Sequence, residues 1–196
     1  MHNLYAIFAK FLNICKQVAG KLVNELGNIP RRGVVPKLSD LEIVALNMTS
    51  EAIGIDSESL LFTKLKEYKN EIPNLISRRQ YNDRRKISSS LCNTIWERFA
   101  AVIDGGEDYF CIDSKPIYRS NQKNCKPTFP AFAKARKRIE TIFSQLCDQF
   151  MIIRIYVKDA EGLFVRIIGK ISAFTVLQDI NYKNNKPIGR VKYVLI

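Results

Sequence analysis

The chain has a single histidine, His2, and no cysteine pair spaced C-x-x-C. A histidine-dependent triad, a histidine metal site and the common zinc ligand sets are thereby excluded. Its five cysteines, Cys15, Cys92, Cys111, Cys125 and Cys147, are odd in number and widely separated. No local disulfide framework is encoded, and reduced thiols in a cytoplasm are expected. There is also no charge-free apolar run near the ~18 residues of a spanning helix. Lys10 and Lys16 interrupt the apolar pattern at the N-terminus, so neither a signal peptide nor a membrane anchor is expected. Acid is the last deficit: nineteen Asp and Glu stand against thirty-one Lys and Arg, a net charge of +12. Such an excess favours a polyanionic partner, nucleic acid first, with a membrane surface as the competing reading, and the lack of further histidines leaves any catalysis to carboxylates.

What is present is enough apolar matter to fold. Hydrophobic residues make up 46% of the 196, and aromatics 10%, which separates the chain from disordered compositions. Helical spacing of Leu4, Phe8, Phe11, Leu12, Cys15, Ala19, Leu22 and Leu26 predicts an amphipathic helix that stops at Gly27. Pro30, Gly33 and Pro36, with Arg31 and Arg32, then mark a basic linker suited to touching phosphate. Ser39 and Glu42 form a capping box, with Leu38 and Ile43 as its hydrophobic staple, and start a second helix. A short third helix is expected over 57–66.

Ser77 and Gln80 repeat the capping box, and Ile76 and Tyr81 repeat the staple. Behind them runs Arg78-Arg79-Gln80-Tyr81-Asn82-Asp83-Arg84-Arg85-Lys86, with Arg78, Asn82 and Arg85 on one face. Short capped helices leading to a basic, amide-bearing helix are what a helix-turn-helix reader of the major groove requires. The plainer reading is a solvated charged face. Against it, five cations and one anion fall between Ser77 and Ile87, so pairing within the helix leaves the cluster repelling itself. Leu91, Ile95, Phe99 and Val102 continue as a core stripe. Gly105-Gly106 marks a boundary, and Tyr109–Ile112 is a short β-prone run ending at Asp113. A helix is expected over 132–150, a strand over 151–157, a last helix over 161–180, and an irregular basic tail from Asn181.

In four places the chain resembles the DDE transposases of bacterial insertion sequences: residues 36–43, 81–86, 109–116 and 136–146, the last continuing to the Lys186–Arg190 stretch. The resemblance implies a mainly α protein. Its first part, 1–104, is an N-terminal helical, helix-turn-helix-like DNA-binding domain; its second, 105–196, is a truncated remnant of an RNase H-like α/β catalytic core. It further implies that Asp113 and Glu140 are the first and last acids of the metal-dependent site. Arg78, Arg79, Asn82, Arg84, Arg85 and Lys86, and on the later helix Arg136, Lys137 and Arg138, are then DNA contacts. Mg2+ is the implied cofactor, and the terminal repeats of the element are the implied partner. A homodimer or an intact transposase is the implied protein partner, in a bacterial cytoplasm.

Between Asp113 and Glu140 lie only twenty-six residues, none of them acidic. The family places several strands and its second catalytic Asp there, so an internal deletion is inferred with its junction between about Ile117 and Gln122. Two-metal phosphoryl transfer holds two ions roughly 4 Å apart with three carboxylates. Two carboxylates supply too few oxygens for both hard cations, and catalysis is expected to be lost. Without the resemblance, Asp113 and Glu140 read as ordinary surface carboxylates, and Arg136 as a partner for Glu140. Two further outcomes stand beside a disabled enzyme: a DNA-binding module that competes with an intact transposase, and a relic whose apolar helix over 163–177 has lost its cover.

Overall fold

The computed structural model describes residues 3–104 and 130–195, and every regular element among them is helical. Seven α-helices run in the order α1 (Leu4–Ala19), α2 (Asp40–Ala52), α3 (Glu58–Leu65), α4 (Arg78–Ile87), α5 (Ser89–Asp104), α6 (Pro130–Asp148) and α7 (Ala160–Lys183), joined by 3-10 turns and loops.

Helix α2 is the axis of the fold. From Ile43 to Ala52 every residue is buried, because α1, α4, α5 and α7 all pack around it. A helix enclosed on all sides has no polar face to show, which explains its nearly continuous apolar and small sequence. Both halves of the predicted capping box are present: the Ser39 side chain accepts from Glu42 N, and Glu42 accepts from Ser39 N. Leu38 and Ile43, the predicted staple, are both buried.

Helix α7 closes the same core. It packs on α5 and α2, and its Phe174 meets Phe150 edge-on at 5.7 Å between ring centres. Trp96 Nε1 of α5 donates to Thr175 Oγ1 at 3.2 Å. The apolar helix that the sequence leaves without a cover thus finds one on two N-terminal helices. Gly169 packs directly on α2: a Cβ there would lie 2.5 Å from Asn47 Nδ2.

Four expectations change. The strand expected over 151–157 is absent: Met151 takes a left-handed φ of 50° and leads into a 3-10 turn, Ile152–Arg154. With no strand beside it among the described residues, an extended segment would leave its backbone unpaired, and the local turn satisfies part of it instead. Helix α1 ends at Ala19 rather than near Leu26, since Gly20 turns the chain with φ 51°. Arg98 of α5 caps that end, donating to Val18 O at 2.6 Å and Ala19 O at 2.9 Å, where a cation suits the helix dipole. Val102 is 54% exposed, although Leu91, Ile95 and Phe99 of the same stripe are buried. The tail beyond α7 is pinned: Asn181 Nδ2 donates to Pro187 O and Arg190 O, and Val191 is buried. The expected strand over 109–112 and Asp113 lie outside the described residues.

Candidate nucleic-acid interface

Helix α4 begins as the sequence predicts. Ser77 accepts from Gln80 N, and Gln80 returns a bond to Ser77 N at 3.1 Å. Tyr81 is fully buried against Phe62, with ring centres 5.5 Å apart, so one face of α4 is fixed to α3. Its first turn presents Arg78 and Arg79 to solvent.

The second half of α4 turns its cations inward. Arg84 donates to Leu38 O and to Asp40 Oδ1, the latter at 2.6 Å. Arg85 donates to Glu58 Oε1 at 2.7 Å and to Asn82 Oδ1 at 3.3 Å, and lies over the Tyr81 ring. Lys86 meets Asp159 at 3.0 Å and Glu161 at 3.5 Å, at the start of α7. The self-repulsion expected of the cluster is therefore answered by carboxylates from α2, α3 and α7, not by pairing within the helix. Asn82 and Arg85 share a face, as expected, but they bond to each other across it.

Asp40 organises the outer side. Its carboxylate, sealed from solvent, accepts from Ile29 N at 3.0 Å, Arg31 at 3.3 Å, Arg84 at 2.6 Å and the Ser88 hydroxyl at 3.4 Å. The basic linker is thereby strapped against α4. Between them opens a surface groove of about 630 Å³, with Arg31 and Lys37 on the linker wall and Ser77, Gln80 and Arg84 on the helix wall. Val34, 95% exposed, stands on its rim.

Beneath α4 lies a buried charge network that the sequence reading missed. Lys170 Nζ donates to Glu51 Oε2 at 2.6 Å, both residues being 1% exposed. Arg166 pairs with Glu51 at 3.1 Å and also with Asp56, which lies 3.3 Å from Lys170. Burial pushes the Lys170 ammonium below its usual range, opposed by Glu51. Burial also raises the Cys92 thiol to about 11, so this thiol stays protonated and unreactive at neutral pH. Cys15 is buried as well, and Cys147 is half-buried; all three are free.

On α6, Arg136 Nε donates to Glu140 Oε1 at 2.9 Å, and both side chains are exposed. Lys137 and Arg138 are exposed beside them. Glu140 is therefore held by a cation one turn away. No group of three His, Cys, Asp or Glu side chains converges as a metal site among the described residues. Asp113, the other acid that the resemblance implies for Mg2+, lies outside the described residues. No helix among the described residues is long and apolar enough to cross a membrane.

Comparison with protein-family models, curated proteins and solved structures finds no match to this chain.

Proposed function

We propose that this chain is a DNA-binding protein of the insertion-sequence transposase class, with a shortened catalytic part that does not cleave DNA. The observation that carries the reading is the first turn of α4. Arg78 and Arg79 stand exposed on a doubly capped helix, beside a groove whose other wall is the basic linker. A helix anchored by its buried face, with free guanidinium groups at its N-terminal end, suits major-groove readout. Lys37, exposed on the linker, is the candidate to follow the adjacent phosphates, while Arg31 is engaged by Asp40. The net charge of +12 supplies the long-range attraction. The segment from 105 onward is read as the remnant of an RNase H-like core, with Asp113 and Glu140 as its surviving acids and Mg2+ as the ion an intact site would use.

The reading is tested by binding the purified chain to element-end DNA and to a scrambled duplex of equal length across a salt series. Tight, end-specific binding with a modest salt slope supports a reader that competes with an intact transposase in a bacterial cytoplasm. Equal, weak binding that collapses with salt overturns it and leaves only charge attraction. Metal-dependent cleavage abolished by Asp113→Asn would overturn the inactive part of the proposal.

A further inference from the structure

Where α2, α4, α5 and α7 meet, the packing leaves a small cavity of about 10 Å³, lined among others by Val44, Asn47, Arg85, Ser89, Cys92 and Ile168. That volume is about the room one water molecule requires, and too little for any larger ligand. Two atoms on the side chains of this wall are sealed from solvent and lack a hydrogen-bond partner in the protein: Asn47 Oδ1 and Arg85 Nε. Asn47 is 2% exposed and Arg85 6%. An unmade bond at a buried polar atom costs about 1–3 kcal/mol, so two such atoms on residues that line one cavity point to an occupant.

The chemistry of the two atoms selects that occupant. Asn47 Oδ1 can only accept, and Arg85 Nε can only donate. An anion would satisfy Arg85 and be repelled by the amide oxygen, and a cation would do the reverse. An apolar atom would satisfy neither.

We infer that a single ordered water molecule is bound in this cavity, accepting from Arg85 Nε and donating to Asn47 Oδ1. Ser89 also lines the cavity and carries a hydroxyl able to serve as a third partner, within the two to four that buried waters typically make. Arg85 is then held on three sides: by Glu58 on α3, by Asn82 on its own helix, and through water by Asn47 on α2. Its role is to position α4. This inference stands whether or not α4 reads DNA.

A crystal structure of the full chain, at a resolution that orders internal water, tests it directly. The expected result is a density peak within hydrogen-bonding distance of both Asn47 Oδ1 and Arg85 Nε. In solution, a nuclear Overhauser effect from a long-resident water to Arg85 Hε is expected in the labelled wild-type protein. An empty cavity in the density, or Arg85 Nε bonded directly to a protein oxygen, overturns the inference. So does the absence of any water contact at Arg85 Hε.

Discussion

Gly169 of α7 lies against the side chain of Asn47 on α2, at a separation that leaves no room for a Cβ. Helix propensity alone would favour Gly169→Ala by about 1 kcal/mol. Asn47 is buried, so either its amide or α7 itself must shift to admit the methyl, and overpacking of this kind costs about 1–3 kcal/mol. Gly169→Ala is therefore expected to lower the melting temperature. An unchanged or raised Tm would mean that the contact yields.

The Glu51–Lys170 pair predicts a larger loss. Removing one partner leaves the other charge buried, at a cost of about 3–5 kcal/mol. Asp56 and Arg166 soften this only in part, since each already has a partner in the network. Lys170→Ala should reduce the unfolding free energy measured in urea by that order, whereas replacing both charges with apolar side chains of similar volume should cost much less.

The two halves of α4 should separate in mutagenesis. Arg78→Gln and Arg79→Gln touch exposed side chains, so DNA affinity should fall while stability changes by no more than about 0.5 kcal/mol and Tm barely moves. Arg84→Ala removes the nearer of two cations from a fully buried carboxylate, and Tm should fall. Gel-shift titration beside calorimetry distinguishes the two; equal effects on Tm would contradict this division.

The link between α4 and α7 has a defined pH range. The Asp159 carboxyl is held below its usual range, first by the Gly162 backbone N–H and then by Lys86. The Lys86 ammonium is held above its usual range, chiefly by the bond to Asp159. A lowered carboxyl contributes above its unfolded pKa and is lost as pH falls through the folded one. A raised lysine contributes below its unfolded pKa and is lost as pH rises through the folded one. The link should thus persist between about pH 4 and about pH 10. Amide exchange at Gly162 should accelerate on acidification below that window, beyond the intrinsic pH dependence, and Asp159→Asn should flatten the change.

How much of this was legible depended on distance along the chain. The boxes at Ser39–Glu42 and Ser77–Gln80 span three residues, and the apolar stripes span a helix, so local pattern revealed both. The partners of the basic run lie far away: Asp40 is 44 residues from Arg84, and Asp159 is 73 from Lys86. No periodicity announces such pairs. A weaker signal was present in Arg166 and Lys170, two cations one turn apart inside an otherwise apolar helix, which are tolerated there only if acids await them. The segment 151–157 misled because β-prone composition describes side chains, while a strand also needs a neighbour. Leu22 and Leu26 extended the first stripe past Gly20, where the backbone had already turned.

The position of α7 in the chain has a consequence for how the protein is made. Its buried face completes the core built by α1, α2 and α5, yet it leaves the ribosome only after the whole stretch from 105 to 159 has been synthesised. The early helices must therefore wait with apolar surface uncovered, for seconds at ordinary elongation rates of ~5–20 residues per second. The same arrangement lets the length between α5 and α7 vary in evolution: loop closure grows only as the logarithm of length, by about 0.6 kcal/mol per doubling. Any such change in length would still have to bring Phe150 back to Phe174 on α7.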